Sequence, residues 1–189
     1  MANRILHIVL ASLFVAYPFL IYLGLTQFSP SIVSAFILTM LGARLFATRK
    51  MSLKKLKALL PLSVAATIPA LFSLIFNSAQ VLLLMPTVVN ATLFCTFGWT
   101  LLKGPSMIAR FAAISEPVMT DRIHQYCRKV TVVWCLFFIV NGTIATYTAF
   151  CTSKEYWTLY NGLISYILIG VLLGTEFLIR QTIKKKKAN

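Results

Sequence analysis

Residues 115–166 read SEPVMTDRIHQYCRKVTVVWCLFFIVNG, then TIATYTAFCTSKEYW, then TLYNGLISY. Thr120 stands where a helix N-cap belongs, with Asp121 in the first turn. Ile123, Tyr126, Cys127 and Val130 then carry a helical period out of the charged start into an apolar run over 130–151. That run meets the roughly 20 residues needed to cross a bilayer core. Thr152 to Trp157 reads as a short turn, and a second apolar run follows over 158–179. Two such runs joined so tightly predict an antiparallel pair of membrane helices, and an all-α protein around them.

Working outward, the composition agrees. Of 189 residues, 59% are hydrophobic and 12% charged, where a soluble domain carries about 25% charged residues. The mean hydropathy is +0.83. So few charges cannot cover so apolar an interior in water, and lipid must solvate much of it. Further apolar runs over 5–25, 31–47, 58–76 and 80–102 bring the expected spans to six, in a single transmembrane domain over 1–189. The first run lacks a small-x-small cleavage pattern and reads as a retained helix, not a signal peptide. Pro18, Pro61, Pro69 and Pro86 lie within runs, where neighbouring helices can satisfy the freed backbone.

The basic residues orient the bundle. Arg4 precedes the first run. Arg44, Arg49, Lys50, Lys54, Lys55 and Lys57 mark the second-to-third connection. Lys103, Arg110, Arg122, Arg128 and Lys129 mark the fourth-to-fifth, and Arg180 with Lys184 to Lys187 forms the tail. Of the 18 Lys and Arg, Lys154 alone falls on the other side. The positive-inside rule therefore predicts both termini in the cytoplasm. A net charge of +14 would suggest nucleic acid in a soluble protein. Here the cations sit between apolar runs and the aromatics inside them, so the expected counterion is an anionic lipid bilayer. Met107, Ile108, Phe111 and Ile114 recur at helical spacing after Pro105, which predicts a short amphipathic cytoplasmic helix in the interface plane.

Candidate functional groups are few. On the fifth helix one stripe carries Trp134, Phe138, Asn141, Ala145 and Thr148, and a second carries the small residues Thr131, Cys135, Gly142 and Ala149, suited to close helix approach. Asn141 lies at about the depth of Asn90. The two amides either bond each other and glue the bundle or line a polar cavity, because a buried amide needs partners. On the sixth helix Asn161, Ser165 and Glu176 share a broad face, with Gly170 and Gly174 on another. Glu176 has Arg180 four residues on as an ion-pair partner, and an acidic residue in a span is otherwise a functional group. A cytoplasmic patch gathers Glu116, Asp121, Arg122, His124, Tyr126, Arg128 and Lys129, with Asp121 and His124 close enough on one helix to meet. No nucleophile motif or phosphate loop accompanies the patch. His7 and His124 are too isolated for a metal site, and the sequence calls for no cofactor. Cys95, Cys127, Cys135 and Cys151 show no pairing spacing and read as small packing residues.

The runs YCRKVTVVWCLFFIVNG (Tyr126 to Gly142), WTLYNGLISYILIGVLLGTEFLIR (Trp157 to Arg180) and LLLMPTVVNATLFCTFGWTLLKGPSMIARFA (Leu82 to Ala112) resemble a family of bacterial inner-membrane proteins. Its members tend to be encoded among fatty-acid-synthase-like, acyltransferase and glycosyltransferase genes, including aryl-polyene clusters. The resemblance covers roughly the second half of the chain. It implies a Gram-negative inner membrane and a lipid-type pathway, and it carries over no catalytic residue. Three functions follow as expectations. The first is an accessory or scaffold protein in envelope lipid or acyl-polyene assembly, engaging anionic lipid or cytoplasmic lipid- and acyl-processing enzymes. The second is a small lipid or metabolite transporter or flippase using Asn90, Asn141 and Asn161 as a polar path. The third is a membrane-bound transferase acting at the cytoplasmic patch. A homo-oligomer is compatible with each.

Overall fold

The structure, a computed structural model, describes residues 16–48, 53–114 and 119–188. Among them it is all-helical, without strands. In order come α1 (Tyr17–Gln27), α2 (Pro30–Thr48), α3 (Leu53–Phe76), α4 (Ala79–Leu83), α5 (Met85–Leu102), α6 (Met107–Ala112), α7 (Asp121–Cys151), α8 (Lys154–Leu159), a π-helical turn (Tyr160–Ile164) and α9 (Ser165–Ala188). Three continuous runs are long and apolar enough to cross a membrane: Ala79–Leu102, Asp121–Cys151 and Lys154–Gln181. The apolar parts of α2 and α3, Pro30–Phe46 and Pro61–Phe76, are shorter. The chain is a helical membrane protein. Its outward surface agrees, with Phe46, Ile75, Leu102 and Leu178 each more than 60% exposed. Of the expected first span over 5–25, residues 5–15 lie outside the described residues.

The most extensive helix contact is between α5 and α7. All nine residues of the two expected α7 stripes are buried, together with Cys127. Thr120 is the N-cap residue and Asp121 begins the first turn, although the Thr120 hydroxyl makes no capping bond. One helix then runs 31 residues from the charged start to Cys151, as the period requires.

The structure adds three local details. The run over 80–102 stays one span, but its helix is interrupted by a break at Leu84, and α5 restarts with Met85-Pro86. Pro86 has no N–H to give the preceding turn, which is why the break falls there. The turn placed at Thr152 to Trp157 is shorter, because helix resumes at Lys154 with Ser153 as N-cap residue. The last span is not uniformly α-helical, since Tyr160–Ile164 forms a π turn. Gly162 lies inside that turn, and a Cβ there would sit 2.7 Å from the Phe19 ring. Only a bare backbone lets α1 approach so closely.

The broken fourth helix explains the fully buried Trp157. Leu83 lies at the break, and its carbonyl accepts the Trp157 indole N–H at 2.9 Å. Trp157 is fully enclosed in a core with Ile21, Val33, Ala70, Leu82, Leu83, Met85 and Ala149. Residues of six other helices therefore share one core with this ring. The α3–α4 turn is tied down separately: Asn77 takes a left-handed φ of 48°, which asparagine tolerates. Its Oδ1 accepts from the Ser31 amide at 3.1 Å and the Ser31 hydroxyl at 2.9 Å.

Trp157→Phe keeps the ring bulk and removes the donor, leaving the Leu83 carbonyl buried without its partner. A loss of about 1–3 kcal/mol is expected, read as a lowered thermal midpoint of the protein in detergent. Tyr156→Phe, at an exposed neighbouring ring, should leave the midpoint in place.

A candidate polar site in the α5–α7 seam

The antiparallel α5–α7 pair is joined by polar contacts along its length. Just before α5, at the end nearest the α7–α8 turn, the side-chain amide of Gln80 on α4 donates to the Ala149 carbonyl. Thr87 and Thr146 hydroxyls meet at 3.0 Å. Next, Asn141 Nδ2 donates to Asn90 Oδ1 at 3.1 Å. At the far end Arg128 donates to the Leu101 carbonyl at 2.8 Å, satisfying one of the open acceptors at the end of α5. Gly142 makes the close approach possible, since a Cβ there would lie 3.1 Å from the Asn90 Cβ. Phe97 packs edge-on against Phe138 at 5.1 Å and fills the seam beyond the amides.

The two asparagines are further committed. Asn90 Nδ2 donates to the Pro86 carbonyl at 2.9 Å, and Asn141 Oδ1 accepts the Tyr160 hydroxyl at 3.0 Å. Asn161, the residue after Tyr160, donates through Nδ2 to the Trp157 carbonyl at 2.9 Å and to Thr148 Oγ1 at 3.3 Å. Its Oδ1 is buried without a hydrogen bond. The π turn brings the side chains of both Tyr160 and Asn161 into hydrogen-bonding contact with α7, which adjacent residues of a regular helix do less readily. Sequence reasoning named Asn90, Asn141 and Asn161 but not Tyr160, Thr87, Thr146 or Gln80. The available signal for Tyr160 was a hydroxyl beside Asn161 at the head of the last helix, easily taken for an interfacial anchor. Thr92 and Thr96, spaced to face the seam, instead bond back to the Val88 and Thr92 carbonyls of their own helix.

At the charged end, α6 docks on the start of α7. Its opening amides are capped from other helices: Met107 N–H donates to Thr100 Oγ1 at 2.9 Å, and Ile108 N–H to Thr131 Oγ1 at 3.3 Å. The expected short helix is present, and its packed face is made by small residues. Ala109 and Ala112 are buried against Cys127, while Phe111 and Ile114 are exposed, at 56% and 84%. Small residues let α6 lie close, and the large ones are left for lipid. In the patch expected on the cytoplasmic side, Asp121, Arg122 and Arg128 are exposed, and His124 and Tyr126 half-buried. No hydrogen bond or ion pair joins Asp121 to His124 among the described residues; the patch does not assemble an acid–base pair there. Glu116 lies outside the described residues. Glu176 of the last span and Arg180 at the start of the tail both act electrostatically on Tyr126. Gly170 and Gly174 have open space where a Cβ would be. Among the described residues no cluster of three His, Cys, Asp or Glu could hold a metal ion.

Asn141→Leu removes one member of the seam but substitutes a group that suits hydrocarbon. The expected loss is at or below about 1.7 kcal/mol, the upper end for a polar helix contact in a membrane. Gly142→Val should cost more, because it pushes the backbones apart at Asn90; overpacking of this kind costs about 1–3 kcal/mol beyond any lost bond. Gly170→Ala, in open space, should stay within about 0.5 kcal/mol of wild type. Unfolding of the purified protein in mixed micelles orders the three.

Compared with known proteins, the chain matches no family model, and no curated protein or solved structure matches it significantly.

Proposed function

We propose that this chain is an accessory or scaffold protein of a bacterial inner membrane, serving envelope lipid or acyl-polyene assembly. In this reading it has six spans and both termini in the cytoplasm. Its basic face engages anionic lipid or soluble lipid- and acyl-processing enzymes. The observation that carries the scaffold reading is the closed amide network Asn90–Asn141–Tyr160, with Asn90 also bonded to Pro86. An amide spent on protein partners has little left to hand a polar cargo through the bundle. The transporter reading asks for the opposite, a polar path with groups free to solvate cargo. A transferase at the cytoplasmic patch would need convergent acid–base groups, and Asp121 and His124 do not converge.

Counted with their polar ends, α2 and α3 are long enough for the six-span count, although their apolar parts are shorter. At 1.5 Å per residue, the 19 residues of α2 and 24 of α3 would measure roughly 28 and 36 Å. A hydrocarbon core is about 30 Å thick. The bacterial family resemblance and the one-sided Lys and Arg supply the membrane and the orientation.

Reporter fusions after Phe28, Ser78 and Ser153 should signal the periplasm, and fusions after Ser52, Ser115 and Asn189 the cytoplasm. A cytoplasmic signal at Ser78 would overturn the six-span arrangement. For the role itself, a deletion strain should show an altered lipid or acyl-pigment profile, and Asn141→Leu should restore it in proportion to its abundance. A stable, abundant Asn141→Leu protein that leaves the profile unrestored would favour the transporter.

A further inference from the structure

α1 meets α2 at Gly24, where a Cβ would come within 2.9 Å of Val33 Cγ2. Between the same two helices lies a cavity of about 570 Å³, a size common among small-molecule sites, which run from about 300 to 1,000 Å³. Its walls are apolar, with Leu20 and Tyr17 on α1 and Phe36, Ile37 and Met40 on α2, and Met85 of α5 lining it as well. Arg44 is the one charged residue on the wall. From Ile32 to Arg44 along α2 the groove runs about 18 Å at 1.5 Å per residue. One leaflet of a hydrocarbon core is about 15 Å deep.

We infer that this groove seats one hydrocarbon chain of an anionic phospholipid, with the headgroup at Arg44. Apart from Tyr17, Gln27 and Arg44 the lining offers water no polar side chain, so water is a poor filling for the groove. An occupant must be hydrocarbon along the groove, and it must end near a cation. A phospholipid of one leaflet meets both conditions in length and in charge. Arginine is suited to the headgroup end, because its planar guanidinium grips phosphate oxygens in pairs and is weakly hydrated. The contact differs from the ordinary coating of lipid around a bundle: a concave seat between two helices encloses more of the chain than a convex helix face does. The inference rests on the proposed orientation only for the choice of leaflet, which is then the cytoplasmic one. Reversed reporter signals with a retained lipid would change the leaflet and leave the groove intact.

The test is native mass spectrometry of the full chain, extracted in mild detergent from membranes containing anionic and zwitterionic phospholipids. Wild type should retain one phospholipid, with the anionic class enriched. Arg44→Gln should still retain a lipid but lose about fivefold of the anionic preference, the equivalent of one basic residue near a lipid surface. Met40→Trp should fill the groove and shed the lipid whatever its headgroup. An unchanged anionic preference in Arg44→Gln, or an equally retained lipid in Met40→Trp, would overturn the inference. A photo-reactive side chain at Phe36, in an otherwise unaltered chain, gives a readout that needs neither variant to fold. Crosslinks to phospholipid support the seat; crosslinks to residues 5–15 of the same chain, or to a second copy, assign the groove to protein and sink it.

Discussion

In a bilayer the tails around a helix are as apolar as its leucines, so no hydrophobic force draws two helices together. The structure depends on what replaces that force between α5 and α7. Gly142 lets the backbones close on Asn90, and the polar groups brought within reach are paired across the seam at Gln80, Thr87, Asn90 and Arg128. Either device alone would be weak. Close approach without polar partners gains only dispersion contacts, and polar groups without close approach would sit unbonded in hydrocarbon at a cost of several kcal/mol each. Together they make α5–α7 the pair against which other elements are positioned.

The dependencies run outward from that pair in both directions. Toward the α7–α8 turn, the break before Pro86 coincides with the Leu83 carbonyl that takes the Trp157 indole. That bond holds α8, and α8 leads directly into the π turn whose Tyr160 returns to Asn141. A proline that would be a defect in an isolated helix thus ends up inside a closed circuit of contacts. Toward the charged end, Thr100 and Thr131, one from each seam helix, cap the first amides of α6. A six-residue helix cannot persist on its own nucleation energy. It persists here because its unpaired donors are met by two fixed hydroxyls and its alanines by Cys127.

Much of this was legible, for stated reasons. The α7 stripes follow from a 3.6-residue period applied to small and aromatic residues, and burial obeyed it at every position. The Asn90–Asn141 bond was one of the readings their equal depth allowed, beside bonds to nearby backbone and a polar cavity. What failed to show in the sequence was local backbone geometry set by distant contacts. Pro86 announces a weakness in the run but not that the break would fall at Leu84 with Trp157 closing over it. The π turn adds a residue without any change in composition, and the ring packed against its Gly162, Phe19, lies on another helix. The spacing of Met107, Ile108, Phe111 and Ile114 announced α6, but not that Ala109 and Ala112 would be its packed face. Large apolar residues are the default core in water; in lipid that default reverses, and the small residues face protein while Phe111 and Ile114 face out.

The same reversal separates two kinds of region in the molecule. Around the seam every central amide nitrogen has an acceptor and the aromatic rings interlock. At the periphery the packing is open: α1 and α2 leave a groove beside Arg44, and α9 beyond Ser165 presents Gly170 and Gly174 to empty space. A carrier would concentrate its unmet polar groups along the axis and close its edges. Here the axis is closed and the edges are open, with Asn161 Oδ1 the one central amide oxygen left without a hydrogen bond among the described residues. That distribution accords with the scaffold role proposed above rather than with a carrier. On that proposal few residues need look like chemistry in the sequence, because close contact in hydrocarbon is built from shape, and shape is written in Gly24, Val33 and Gly142.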